Sequence, residues 1–161
     1  MSVILDDIRG RIGAENCCKS CSRDGCKVSL NKIPRNRVVV DADKAFEAHD
    51  CHGKRCDFIL FALNGVGKLV AAPIELKSGG VNLSTVLEQL QIGAAFIEKF
   101  TPKGIGAICR PVLIHGGRIR SQDRRILNRG SIRFGGVGVK IKTTRCNRPG
   151  NLADALGISK A

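Results

Sequence analysis

Two apolar runs joined by a tight turn dominate the pattern of hydrophobic and polar positions along this chain. Every position from 58 to 63 is apolar, which predicts a strand buried on both faces. Asn64-Gly65 follows, a strong hairpin signal, and residues 69–77 read as the returning strand. Asp57 heads the first run, and Glu75-Leu76-Lys77 closes the second. With the turn centred on residues 64–67, Asp57 falls opposite Ile74 and one step diagonal from Glu75. Glu75 and Lys77 are two apart and share a face. Three charges therefore meet at the open end of an apolar hairpin, where isolated charge is costly to bury.

The remaining pattern surrounds this hairpin with mixed elements. Ile4, Leu5, Ile8 and Ile12 recur at helical spacing behind Ser2 as a cap, with Gly13 as a stop. Residues 37–40 form a β-branched strand, and 41–49 one or two helical turns carrying Phe46 and Glu47, capped by Asp41 or Asp43. Residues 83–100 give the clearest amphipathic helix, closed by Thr101-Pro102, with Gln91 at the edge of its apolar face. A buried strand interrupted by Pro111 spans 105–115, and His115, beside Gly116-Gly117, reads as a loop residue, with a phosphate ligand as the alternative. A short helix at 121–127, strands at 132–134 and 137–141, and a loop with a final turn from Asn147 complete the chain. Pro73 cannot donate to a sheet ladder, which predicts an edge position or a bulge. The expected fold class is α/β: a mixed central β-sheet flanked by helices. One domain over residues 1–161 is expected, comprising an N-terminal helix and cysteine-rich knuckle (1–36), a core (37–115) and a basic part (116–161).

Charge narrows the range of partners. The chain has 27 Lys and Arg against 14 Asp and Glu, a formal net charge of +13, which favours a polyanion. Between residues 118 and 148 the only acid is Asp123, and Arg118, Arg120, Arg124, Arg125, Arg129 and Arg133 form the dense part. A solvated helix face normally mixes Glu with Lys, so this tract reads as a contact surface for backbone phosphates. With no Trp or Tyr and six Phe, stacking of single-stranded bases is disfavoured. No signal-peptide pattern and no apolar run near the ~20 residues of a membrane span is visible, so a cytoplasmic location without a membrane partner is expected. Gly65-Val66-Gly67-Lys68 lacks the remaining residues of a P-loop, and residues 135–138 lack the spacing and following helix of a dinucleotide fingerprint.

The hairpin charges suit metal-assisted phosphodiester chemistry. Two adjacent carboxylates repel unless a divalent cation lies between them, and the Leu76 carbonyl adds a third oxygen. A neighbouring ammonium can orient water or stabilise the charge of a phosphorane. Asp57, then Glu75-x-Lys77 after a hairpin, then a helix bearing Gln89 and Gln91, resembles the PD-(D/E)xK nucleases over residues 38–114. That superfamily includes restriction endonucleases, archaeal Holliday junction resolvases and RecB-type nuclease domains. The resemblance implies that Asp57, Glu75 and the Leu76 carbonyl bind Mg²⁺ (or Mn²⁺) and that Lys77 is the catalytic lysine. It assigns an acidic helper to Glu47, or else Asp43, and an assisting glutamine to Gln91 or Gln89. Cys56 stands where the family commonly has proline.

Eight cysteines are many for a cytoplasmic chain, and six fall early: Cys17, Cys18, Cys21, Cys26, Cys51 and Cys56. Cys18-x-x-Cys21 with Cys26 close behind can wrap one soft cation. A structural Zn²⁺ on Cys18, Cys21, Cys26 and Cys56 is the expected arrangement, with Cys17, Cys51 and His52 as alternative ligands. Period-two alternation sets Cys56 on the face opposite Asp57. An iron–sulfur cluster, carried by some RecB-like CRISPR-adaptation nucleases, is the rival, and Cys109 is expected to be a quiet core residue. The resulting expectation is a small Mg²⁺-dependent DNA endonuclease, with RNA not excluded as substrate. It would act as a homodimer or as a subunit of a larger defence or repair complex. The alternative is a zinc-stabilised nucleic-acid-binding or complex-assembly subunit without catalytic activity.

Overall fold

A computed structural model describes residues 2–158, which leaves Met1 and residues 159–161 of the expected single unit outside the description. The elements run in the order α1 (Val3–Ile12), β1 (Cys21–Arg23), β2 (Cys26–Val28), β3 (Arg37–Asp41), α2 (Ala42–Ala48), β4 (Phe58–Leu63), β5 (Leu69–Lys77) and α3 (Leu83–Phe100). They continue with β6 (Ala107–Cys109), β7 (Val112–His115), α4 (Ser121–Leu127), β8 (Ile132–Phe134), β9 (Val137–Val139), β10 (Lys142–Arg145) and α5 (Asn151–Leu156). Local chemistry sets the boundaries. Ser2 accepts from the Leu5 N–H to start α1, and Asp41 and Asn82 accept from Lys44 and Thr85 to start α2 and α3.

The main sheet has the order β10-β7-β5-β4-β3, with β6 paired to the first half of β5. β3, β4 and β5 are mutually antiparallel, whereas β5, β7 and β10 run parallel. The fold is therefore α/β with a mixed central sheet flanked by helices. One face packs Leu5, Phe46, Ile59, Phe61, Leu90 and Ile97 beneath α1, α2 and α3, and α4 and β8 join this layer through Leu127 and Ile132. The other packs Phe58, Ile74, Ile114 and Val28 beneath the β1–β2 hairpin and α5. Each layer closes over apolar strand residues that alternate in sequence, which is why β4 is apolar at every position.

Two expectations need correction. Pro73 is not at an edge, because β5 is the central strand. Its neighbour on the parallel side is broken between β6, which pairs with Leu69–Ala71, and β7, which pairs from Ile74 onward. The missing N–H thus falls opposite a gap left by Arg110-Pro111. The second miss is β10, a polar edge strand of Lys142, Thr143, Thr144 and Arg145 without alternating hydrophobicity. Charged, half-exposed edges are how sheets discourage further pairing, and they erase the sequence signal for the strand.

Candidate active site

The open ends of β4 and β5 hold the three predicted charges together. Glu75 is 1% exposed and Asp57 8%, so both carboxylates are buried. Lys77 Nζ lies 2.8 Å from Glu75 Oε2. Asp57 Oδ2 accepts from the Leu76 N–H at 2.8 Å. The ladder is irregular at Asp57. Its N–H donates to Ile74 on β5, while its carbonyl accepts from Ala42 on the β3 side. In a regular strand both groups point to one neighbour. This break re-aims the aspartate, as bulged residues do, and brings its carboxylate onto the β5 backbone beside Glu75.

Burial is the largest influence on Glu75 and pushes its carboxyl up to about 7. The neighbouring Asp57 pushes the same way, and the Lys77 ammonium pulls it down. Glu75 Oε1 is buried and has no hydrogen-bond partner. An orphaned carboxylate oxygen beside a second carboxylate is a pair that a hard divalent cation would satisfy with oxygen ligands. Strand geometry also turns the Leu76 carbonyl toward the β4 side, the side on which its N–H meets Asp57. The residues therefore fit Mg²⁺ or Mn²⁺. Among the described residues no three His, Cys, Asp or Glu side chains form a metal-holding group. Two carboxylates are the usual protein share for Mg²⁺, which keeps waters and takes phosphate oxygens as its other ligands.

Two neighbours were missed or misplaced by sequence reading. Arg23, on β1, has its Nε 3.2 Å from Asp57 Oδ1 and its Nη1 2.9 Å from Asp43 Oδ2. Nothing in the sequence linked residue 23 to residue 57. His115 is the last residue of β7, in register with Lys77, and not in the loop. Its Nδ1–H donates to the Gly117 carbonyl at 2.8 Å, leaving Nε2 as the acceptor of the neutral ring. Burial lowers its pKa, and Arg145 and Arg124 push it further down against that hydrogen bond. The following loop is packed tightly: a Cβ on Gly116 would lie 2.5 Å from the Ser78 carbonyl, so only glycine fits there. Gln89, one of the two expected glutamines, donates its Nε2 to the Arg55 carbonyl, and its Oε1 is buried without a partner among the described residues.

Other expected site residues lie elsewhere. Gln91 exchanges two hydrogen bonds with the backbone of Arg133 on β8, so the hairpin-facing glutamine of α3 is Gln89. The two are about 200° apart on an ideal helix, too far to serve one site. Glu47 is exposed and makes no ion pair or side-chain hydrogen bond among the described residues. Asp43, one turn earlier, reaches the site through Arg23.

The four expected zinc ligands do not converge. Cys56 packs beneath α3, where a Cβ on Gly93 would lie 2.9 Å from its sulfur, whereas Cys21 and Cys26 belong to the opposite core layer. Cys26 forms a disulfide with Cys146, and Cys18 lies at the edge of that layer. Convergence fails because Cys56 faces the α3 layer while the hairpin cysteines face the other one. Cys17 donates to Gly13 and Cys51 to His49, and His52 is exposed, so the alternatives do not complete a set either. Burial pushes the Cys18 and Cys21 thiols up to about 11 and about 12. Cys109 is buried in the core, as expected.

No protein-family model, curated protein or solved structure matches this chain. Its surface chemistry can still be read directly. Arg118, Arg120, Arg124, Arg125, Arg129 and Arg133 are all exposed, and among the described residues Arg120 alone of the six is ion-paired, with Asp123. Arg124 and Arg145 lie close enough to bias His115, which places the basic tract beside the end of β7. No helix among the described residues is long and apolar enough to cross a membrane.

Proposed function

We propose that this chain is a divalent-metal-dependent nuclease that hydrolyses DNA phosphodiester bonds at Asp57, Glu75 and Lys77. The observation that carries this reading is the convergence of two buried carboxylates and an ammonium at one strand end, with Glu75 Oε1 left unpartnered. The resemblance to PD-(D/E)xK nucleases assigns the same residues the same roles. A divalent cation held by Asp57 and Glu75 would supply Lewis-acid polarisation of a phosphoryl oxygen and neutralise charge as it develops. Lys77 hydrogen-bonds the nucleophilic water or the phosphoryl oxygens, and Glu75 fixes the position of its ammonium. Leu76 clamps the Asp57 carboxylate through its N–H, so the pair is preorganised by backbone. Exposed arginines of α4 and the segments around it hold the phosphate backbone.

Incubating plasmid and branched DNA with Mg²⁺ or Mn²⁺ tests this directly. Cleavage is expected for the wild-type protein and is expected to be lost in Glu75→Ala and Lys77→Ala. Cleavage that survives both substitutions sinks the assigned mechanism. Binding without cleavage on every substrate would favour a nucleic-acid-binding subunit that lacks turnover.

A further inference from the structure

Of the four carboxylate oxygens at the site, three are already engaged. Glu75 Oε2 pairs with Lys77, Asp57 Oδ2 accepts from the Leu76 N–H, and Asp57 Oδ1 pairs with Arg23. Among the described residues, only Glu75 Oε1 of the four has no partner. A cation bridging both carboxylates therefore needs an oxygen from Asp57, and the two groups holding that residue differ in how readily they yield. The Leu76 N–H is fixed in the central strand, whereas Arg23 projects from a two-stranded hairpin with 36% of its side chain exposed. Arg23 also has a second partner already in contact, the half-exposed Asp43.

We propose that Arg23 is the resident counter-cation of Asp57 and competes with the divalent ion for it, so that metal loading moves Arg23 from Asp57 onto Asp43 alone. This rests on the reading of Asp57 and Glu75 as a divalent-cation pair. A guanidinium 3.2 Å from a carboxylate opposes an incoming dication by charge and by occupying its lone pairs. The competitor is held in place by design of the fold. Arg23 faces Cys26 across the β1–β2 hairpin, and Cys26 is bonded to Cys146, whose N–H donates to the His115 carbonyl at the end of β7. The guanidinium lies over the Phe58 ring, 5.7 Å from its centroid, which keeps the arm beside the β4 end in either state. Arg23 is thus a positioning residue that sets how much metal the site takes up at a given concentration.

Calorimetric titration of Mn²⁺ into the chelator-treated full chain tests the proposal without reference to activity. Arg23→Gln is expected to bind Mn²⁺ about tenfold more tightly than wild type, reflecting the removal of one opposing charge from a largely desolvated site. Arg23→Met, which keeps an unbranched apolar side chain of similar reach, is expected to do the same and covers a folding defect in the first variant. Adding Asp57→Asn to either is expected to abolish the gain. Uptake by the Arg23 variants with none by wild type is the extreme form of the expected result. Equal or weaker binding by both Arg23 variants, with Asp57→Asn still abolishing uptake, overturns the competitor role and leaves the carboxylate pair intact. No uptake by any of these proteins overturns the carboxylate pair, and the competitor with it.

Discussion

The carboxylate end of β4 and β5 and the cysteine hairpin β1–β2 were both expected to hold a metal, and only the first was assembled as expected. The carboxylates belong to two strands that are neighbours in sequence and in the sheet, so a turn of fixed length carries one to the other. The cysteines depend on which segments pack over which face, and that is settled by α3 on one side and by α5 and β10 on the other. Spacing within one hairpin is a geometric constraint. Spacing between a hairpin and a distant strand is not.

The difference between the two regions can be broken most sharply at Asp57. Asp57→Asn is expected to lower Mg²⁺-dependent cleavage at least about a hundredfold, the scale of losing one charge-stabilising ligand at a reacting phosphate, measured by single-turnover kinetics. The cysteine region should answer to redox state and not to chelators. Cys146→Ser opens a link spanning 120 residues and is expected to cost roughly 2–4 kcal/mol in denaturant unfolding without reductant. Chelator treatment should leave that stability unchanged, whereas a structural zinc would make it fall. A smaller effect concerns pH. The Glu75 pKa is raised from 4.5 to about 7, so the folded, metal-free chain binds more protons than the unfolded chain within that window. Stability therefore falls as pH rises through the window and is flat above it. Glu75→Gln is expected to remove that slope and raise Tm by about 5 °C above the window, with no gain below it. Least affected should be Gln91→Ala, whose contacts are with Arg133. Gln89→Ala is expected to lose activity about tenfold while Gln91→Ala loses under twofold, because Gln89 holds the carbonyl of Arg55, two residues before Asp57, and Gln91 holds β8.

Much of this could be read from the chain itself. The extent of α3 follows from its apolar periodicity and the closing Thr101-Pro102, and the β4–β5 turn from Asn64-Gly65. Asp57, Glu75 and Lys77 could be grouped because their separation is short and both strands are apolar throughout. Arg23 could not, since its approach to Asp57 depends on the β1–β2 hairpin docking across the sheet. His115 was lost for a different reason: the glycines after it suggest a loop, but their role is to let the β5 and β7 ends pack backbone to backbone. Gln91 sits at the edge of the apolar stripe of α3, but that stripe also packs against β8, where Gln91 is held. The disulfide joins residues 26 and 146, a separation over which spacing carries no information.

Anomalous diffraction from crystals soaked in Mn²⁺ weighs the two regions in one measurement. A manganese peak is predicted between Asp57 and Glu75, with no metal peak at Cys18, Cys21 or Cys56. A peak among the cysteines with none at the carboxylates would contradict the assignment of this site.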